Sequence, residues 1–222
     1  MKNTEDRRIL QRIDPELDAH VALIADEFRT GFQAVESIGL PGVTIFGSAR
    51  LPEGDPVYVL AREVGARLAR AGFAVVTGGG PGVMEAANRG AQEAGGTSVG
   101  FNVELPNEQE PNGYLDISLT FHHFYARKTM LVKAAEALVL FPGGFGTLDE
   151  LFEVLVLIQT EKVHGFPVVL MVREHWEPLL AWLDTLDDRG YISPEDLRLV
   201  TVTDDAAGAV EFIVDCLGSK RG

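Results

Sequence analysis

The segment FPGGFGTLDELFE, residues 141–153, combines residues suited to binding an anion with carboxylates that could take part in catalysis. Glycines let the backbone approach a ligand closely, and the free N–H groups at a helix start bind anions. Glu150 and Glu153 are three residues apart, so they share one face of a helix. In a partly desolvated cleft, burial and mutual repulsion would raise the pKa of one of them. The segment is therefore a candidate site.

Helix stability explains only part of this pattern. Thr147 followed three residues later by Glu150 has the spacing of a capping box, which predicts Thr147 as the N-cap and contributes about 1 kcal/mol. A capping box does not require Pro142 and the glycines before it. Carboxylates near a helix start are each stabilised by only about 0.3 to 1 kcal/mol, so three of them exceed what the helix needs.

Two other predicted strand ends carry small residues, FGSAR at 46–50 and TGGGPGVM at 77–84. The glycines of the second allow close backbone approach, and Pro81 suits the first turn of a following helix. The run matches neither a Walker A motif nor a dinucleotide fingerprint, and a tight strand-to-helix turn explains it equally well. Three such strand ends favour one shared cleft. The predicted ligand contacts from these two loops are Ser48, Gly79, Gly80 and Met84.

The segment FHHFYARK, residues 121–128, supplies cations for that cleft. Arg127 and Lys128 lie near the start of a helix that runs antiparallel to the next strand, so this start lies toward the strand's carboxyl end. We therefore expect Arg127 to approach Glu150; a solvated basic pair is the alternative.

The histidines do not predict a metal site. His122 and His123 are adjacent, and adjacent side chains of a strand point to opposite faces. No second cluster has the spacing of metal ligands. The other three histidines are scattered along the sequence and are interpreted as structural or exposed: His20, His164 and His175.

Short β-branched runs alternate with helical windows from residue 42 onward. Strands are predicted within 43–49, 73–80, 97–103, 137–144 and 167–172, more weakly within 116–121 and 199–205, and helices within 57–72, 83–96 and 206–217. This alternation predicts an α/β fold with a parallel sheet and helices on both faces. Ligands of such sheets bind at the carboxyl ends of the strands, near a topological switch point.

Residues 14–38 carry apolar side chains at spacings of three and four, which predicts an amphipathic helix with Asp14 as N-cap and Pro15 as its first residue. Without an internal repeat or a linker, residues 1–222 are interpreted as one domain, with 1–40 as a helical extension.

Composition argues against several classes of protein. A net charge of −14 without a strong basic patch disfavours nucleic acid as a partner. One cysteine, no apolar leader and no apolar run of about 18 residues predict a cytoplasmic protein that does not span a membrane.

Together, GGGPGVM, ARK and PGGFGTLDE resemble the LOG ("lonely guy") family of cytokinin-activating phosphoribohydrolases, which are often mislabelled lysine decarboxylases. The similarity extends from about Thr44 to about Leu186, and FGSAR and ELPNEQ are similar to the longer, second type of LOG protein. It implies a modified Rossmann fold and hydrolysis of the N-glycosidic bond of a nucleoside 5′-monophosphate, which releases ribose 5-phosphate and an adenine-type base. No cofactor is implied.

The resemblance also implies roles for individual residues. Arg127 and Glu150 would be the catalytic pair. The substrate contacts implied are Lys128, Gly143, Gly144, Gly146, Thr147, Glu153 and Glu108. The chemistry fits, because a carboxylate stabilises the positive charge that develops on the sugar and a guanidinium binds phosphate or ribose oxygens. The family also implies a homodimer, with a hexamer built from dimers as the larger alternative.

Two alternatives stay open at this point. One is a broader nucleosidase acting on purine and pyrimidine 5′-monophosphates. The other is a non-catalytic carrier of a nucleotide or of the molybdenum cofactor, because similar carriers also contain a P-G-G-x-G-T turn. The presence of both Arg127 and Glu150 favours catalysis.

Overall fold

The protein is described by a computed structural model over residues 13–105 and 110–218. Its elements in chain order are α1 (Leu17–Ser37), β1 (Gly42–Phe46), α2 (Pro56–Arg70), β2 (Ala74–Thr77), α3 (Val83–Glu93), β3 (Ser98–Val103), β4 (Ile117–Phe121), α4 (Phe124–Lys133), β5 (Ala135–Leu140), α5 (Phe145–Gln159), β6 (Val168–Met171), α6 (Arg173–Asp188), a 3₁₀ turn (Asp196–Leu199), β7 (Val200–Thr203) and α7 (Ala206–Gly218).

The seven strands form one sheet in the order β4-β3-β2-β1-β5-β6-β7, and every neighbouring pair is parallel. The predicted parallel sheet is confirmed, and the two weaker strand predictions correspond to β4 and β7. The chain passes outward from β1 to β4 and then returns to pair β5 with the other side of β1. The topological switch point therefore lies between β1 and β5, where ligands of such sheets bind.

Helices cover both faces of the sheet, as predicted. Alternate residues of the central strands point to opposite faces: Val43 and Val139 contact one hydrophobic cluster, whereas Leu138 and Leu140 contact the other. The first cluster includes α2, α3 and α7, and the second includes α4, α5 and α6 with the C-terminal part of α1. Strands that are buried on both faces explain why the sequence shows continuous apolar runs rather than alternation.

Helix α1 begins at Leu17, so the prediction that it starts at Pro15 with Asp14 as N-cap is wrong. The carboxylate of Asp14 instead accepts a hydrogen bond from the backbone N–H of Glu16, at 2.9 Å, in a turn that precedes the helix. Such local side-chain bonds compete with helix formation. Within the described ranges, no helix is long and apolar enough to cross a membrane.

Helices α2 and α3 cross in close contact. A Cβ atom at Gly65 would overlap the carbonyl oxygen of Ala87, and one at Gly90 would overlap that of Arg62. At its other end, α3 starts at Val83 with Gly82 as N-cap, so Pro81 precedes the helix and is not in its first turn, contrary to the prediction. Gly82 has a φ of +68°, a conformation that favours glycine.

Gly90→Ala should destabilise the fold, because neither backbone at the crossing can move aside for a methyl group. We expect a loss of about 1 to 3 kcal/mol in the free energy of unfolding, despite the better helix propensity of alanine. Urea denaturation followed by circular dichroism measures this. Gly54→Ala is the matched control, since a Cβ there meets nothing within 4 Å. Equal stability of both variants would contradict the close crossing.

Candidate active site

A cavity of about 680 Å³ opens at the carboxyl ends of β1 and β5, at the switch point of the sheet. Its wall combines the loop after β1, the start of α3, the start of α4 and the first two turns of α5. Ligand cavities of enzymes commonly have this size and this place in α/β sheets. The predicted convergence of separate strand ends on one cleft agrees with this geometry.

Helix α5 provides the wall suited to an anion. It begins at Phe145 with Gly144 as N-cap, and no side chain caps it. The predicted capping box is therefore wrong: Thr147 is the third residue of the helix, and Glu150 lies in its second turn. A Cβ at Gly144 or Gly146 would meet nothing within 4 Å, so the backbone faces open space there. The first N–H groups of a helix lack partners inside it, and here they border the cavity.

Glu150 presents a buried carboxylate to the cavity. It is 5% exposed, and its Oε2 has no hydrogen-bond partner among the described residues. Burial raises the pKa of Glu150 to about 7, and the carboxylates of Glu153 and Asp149 act in the same direction. The cations of Lys128 and Arg127 oppose this rise. The carboxyl group therefore titrates close to neutral pH, as a group that exchanges protons during catalysis should.

Arg127 extends into the same cavity from the first turns of α4. Its Nε donates a hydrogen bond to the carbonyl of Phe101, at 2.7 Å, and its guanidinium crosses directly over the Cα of Gly78. A side chain at Gly78 would occupy the place of the guanidinium. Burial lowers the pKa of Arg127, and attraction to Glu150 opposes that effect. The expected approach of the two groups thus occurs within one cavity.

Lys128 lies beside the site in an ion-pair cluster with α5. Its Nζ is 2.8 Å from Oδ2 of Asp149 and 2.8 Å from Oε2 of Glu153. Burial would lower the pKa of Lys128, but the bonds to these two carboxylates outweigh it and raise the pKa above its ordinary value. The lining of the main cavity, over the described residues, includes Asp149 but neither Lys128 nor Glu153. The ion pair of these two residues joins α4 to α5.

The glycine loop at 78–80 is held from behind by amide side chains. Asn112 donates its backbone N–H to the carbonyl of Gly79, at 2.8 Å, and its side-chain amide to the carbonyl of Gly80, at 3.0 Å. Gly79 has a φ of +70°, and its Cα lies against the amide of Asn102. Gly80 and Asn102 line a smaller cavity of about 180 Å³ that shares Arg127 with the main one.

The structure brings some of the predicted site residues together and separates others. Those lining the main cavity are Ser48, Met84, Arg127, Gly144, Gly146, Thr147 and Glu150. Gly79 lies against the amide of Asn102, and Gly143 lies against the side chain of Thr147. Glu108 lies outside the described residues. Eight further lining residues were not predicted as contacts, although all of them lie within the quoted motifs: Phe46, Gly47, Ala49, Arg50, Phe124, Phe145, Leu148 and Asp149.

The two adjacent histidines follow β4, which ends at Phe121, so the expectation that they lie in a strand on opposite faces is wrong. Both contact Glu27 of α1: Nδ1 of His122 lies 3.1 Å from Oε1, and Nδ1 of His123 lies 2.5 Å from Oε2. Over residues 13–105 and 110–218, no three His, Cys, Asp or Glu side chains form a group that could hold a metal ion.

Residues 84–213 match the family model described as "Possible lysine decarboxylase". The chain is 32% identical to the cytokinin riboside 5′-monophosphate phosphoribohydrolase of Rhodococcoides fascians over 77% of this chain and 88% of that protein. It is 33% identical to the protein of the same name from Mycobacterium tuberculosis, over 73% of this chain and 88% of that protein.

Among solved structures, the molybdenum cofactor carrier protein of Chlamydomonas reinhardtii superposes with a TM-score of 0.58 and 29% identity, covering 81% of this chain and 99% of that one. The family model spans more than half of the chain, and the two phosphoribohydrolases exceed 30% identity over most of their own length. The chain therefore belongs to the LOG family, in which the name lysine decarboxylase persists in the description of the family model.

Proposed function

We propose that this protein hydrolyses the N-glycosidic bond of nucleoside 5′-monophosphates of the adenosine or cytokinin type, releasing the free base and ribose 5-phosphate. The observation that carries the proposal is the buried carboxylate of Glu150, whose Oε2 has no hydrogen-bond partner among the described residues and which shares a cavity with Arg127 and the open start of α5. The two similar phosphoribohydrolases support the same reaction.

The 5′-phosphate is proposed to bind at the start of α5. Gly144, Gly146 and Thr147 border the cavity there, and the helix dipole and free N–H groups favour an anion. Gly143 allows the side chain of Thr147 to pack directly against the loop, so it shapes this cradle. A fixed phosphate would hold the sugar near Glu150, which is less than two helical turns away.

Glu150 is proposed to act on the anomeric carbon. As the C1′–N bond breaks, positive charge develops on the ribose, and a carboxylate in a low-dielectric cleft stabilises that charge. The ionised carboxylate also accepts a proton from the attacking water, whose oxygen forms the new bond to C1′. The departing base nitrogen takes up a proton from solvent, and Glu150 releases to solvent the proton it took from water. The carboxylate is thereby regenerated, and the net reaction consumes one water molecule and needs no redox partner.

Arg127 is proposed to orient the phosphosugar. A guanidinium offers several donors in a fixed plane, and its bond to the carbonyl of Phe101 restrains its position. Correct placement of the reacting groups is worth several kcal/mol, at most about 7 to 11. Lys128 and Glu153 are proposed to support the site by fixing α4 against α5. Glu108 is retained as a proposed substrate contact on the resemblance alone.

A carrier of the molybdenum cofactor is the second candidate function, and the similarity to the Chlamydomonas carrier favours it. A carrier would bind its ligand in the same cavity without breaking a bond. A broader nucleosidase that also accepts pyrimidine nucleotides differs only in substrate range. Turnover of the nucleotide distinguishes the proposed enzyme from a carrier. A comparison of AMP with CMP and UMP distinguishes it from the broader nucleosidase.

Incubation with AMP or isopentenyladenosine monophosphate should release the free base and ribose 5-phosphate, detected by chromatography. Glu150→Gln should reduce the rate of release by at least about a hundredfold, because the amide keeps the shape of the side chain but cannot accept the proton or stabilise the cation. Binding of AMP, measured by calorimetry, should remain close to that of the unchanged protein.

Glu177→Gln is the matched control, since Glu177 is an exposed residue of α6 away from the cavity. It should leave release unchanged. Near-normal release by Glu150→Gln would remove Glu150 from the mechanism. Binding of AMP without any release by the unchanged protein would favour the carrier.

The rate should depend on pH through Glu150. Its pKa of about 7 in the folded protein means that the required carboxylate form is lost as pH falls below neutrality. We expect kcat/KM for AMP to be constant above the pKa and to fall about tenfold per pH unit well below it. A profile that is flat between about pH 5 and 9, or that rises toward acid, would contradict this role for the ionised carboxylate.

We propose that the protein is at least a homodimer, with a hexamer built from dimers as the larger form. Large apolar side chains lie exposed on α1 and beside the cavity, including Leu17, Val21 and Phe145, of which Phe145 is 93% exposed. Burial of such groups would favour association. Light scattering coupled to size-exclusion chromatography should give a mass of two or more chains. A single-chain mass at micromolar concentration would contradict this assembly.

A further inference from the structure

The proposed reaction gives α1 no part, yet a series of buried hydrogen bonds connects α1 to α4, the helix that carries Arg127. This series of contacts includes Asp14, whose Oδ2 lies 2.7 Å from Nδ1 of His20. Nε2 of His20 lies 3.0 Å from Nε2 of His123, and Nδ1 of His123 lies 2.5 Å from Oε2 of Glu27. His20 is 5% exposed and His123 is fully buried.

These distances determine how many protons the two rings carry. A carboxylate only accepts hydrogen bonds, so each Nδ1 facing Asp14 or Glu27 must bear a proton. Two ring nitrogens 3.0 Å apart form a hydrogen bond only when one donates and the other accepts. The bond between His20 and His123 therefore contains a single proton, and the pair carries one positive charge between two carboxylates. With a second proton, two N–H groups would point at each other. With no proton, two nitrogen lone pairs would face each other, so neither state forms a hydrogen bond.

The same contacts hold the turn from which α4 projects. His123 is the N-cap residue of α4, and its carbonyl accepts a hydrogen bond from the backbone N–H of Arg127, at 3.2 Å. Oε1 of Glu27 accepts from the backbone N–H of His122. One buried carboxylate of α1 thus bonds both residues of the turn, and a Cβ at Gly31 one helical turn later would overlap the side chain of Met130 in α4.

We propose that His20 and His123 are positioning residues for Arg127: the single proton they share docks α1 on the β4–α4 turn and so places the guanidinium in the cavity. The part assigned to Arg127 rests on the proposed function, whereas the shared proton and the docking do not. Helix α1 is then part of the structure that holds the active site in place.

The proposal implies a specific pH dependence. Histidine changes charge between about pH 5 and 8, and a second proton on the pair would place two cations face to face. Four further groups face the pair from the elements around it within the described ranges. They are Asp14 before α1, Glu27 within α1, His122 in the turn, whose Nε2 is 3.5 Å from Oε1 of Glu104, and Tyr125 of α4, which stacks on His123. Two carboxylates favour the first proton, but only one position between the rings can hold it.

Nuclear magnetic resonance of the whole protein labelled with ¹⁵N-histidine tests the shared proton directly. A scalar coupling between Nε2 of His20 and Nε2 of His123 should be observed near neutral pH and should disappear on acidification. His20→Gln removes this coupling, whereas His164→Gln, an exposed control, leaves it intact. Absence of the coupling in the unchanged protein at every pH would overturn the proposal.

The positioning role is tested by kinetics and by exchange of backbone amides. His20→Ala should lower kcat/KM for AMP by about tenfold to a hundredfold, the usual cost of a small misplacement of a reacting group, and should speed hydrogen exchange at the amide of Arg127. His20→Gln should retain most of the activity near neutral pH, because an amide can donate to or accept from His123. On acidification, His20→Gln should lose less activity than the unchanged protein. Glu150 titrates in both proteins, but the variant has no second imidazole facing His123 that could take up a further proton.

Identical pH profiles of the unchanged protein and His20→Gln would overturn the positioning role, as would normal exchange at Arg127 in His20→Ala. If His20→Ala fails to fold, the coupling and the His20→Gln profile still decide. If the unchanged protein releases no base from any nucleotide, the proposed reaction fails. The coupling and the exchange of the Arg127 amide then still test whether the shared proton docks α1.

Discussion

The structure depends on keeping one carboxylate, that of Glu150, away from water and close to a guanidinium. Burial alone would make the charged form of this group costly. Lys128 and Arg127 lower that cost, whereas Asp149 and Glu153 raise it, and the balance leaves the pKa near 7. A more exposed site would leave the pKa near its ordinary value, and a fully apolar one would raise it further. The position of α5 over the switch point sets this balance.

Several parts of the fold serve that single position. The parallel sheet brings the ends of β1 and β5 together, so that two loops distant in sequence form one wall. Gly78 leaves the space through which the guanidinium of Arg127 reaches the cavity, and Asn102 and Asn112 hold the loop that contains it. The ion pairs of Lys128 fix α4 against α5. On the far side of α4, the histidine pair fixes α4 against α1.

Patterns local in sequence predicted most of the fold. The apolar runs and their small-residue ends correctly indicated the parallel strands, since both signals depend on neighbouring residues. Helix starts were predicted less well. Thr147 and Glu150 match a capping box with Thr147 as N-cap, whereas the N-cap of the helix is Gly144, three residues earlier. The loops that line the cavity were predicted from their glycines, and seven of the named residues line it. By contrast, the pairing of His20 with His123 joins residues 103 positions apart, and no spacing rule connects them.

Burial raises the pKa of Glu150 to about 7 in the folded protein, even with the cation of Arg127 nearby. A ¹³C titration of the glutamate side-chain carboxyl carbons, with the signal of Glu150 assigned through its loss in Glu150→Gln, measures this group alone. We expect a midpoint at about pH 7. A midpoint near pH 4.5, the ordinary value for this side chain, would show that the carboxyl group is solvated and would contradict the role proposed for its burial.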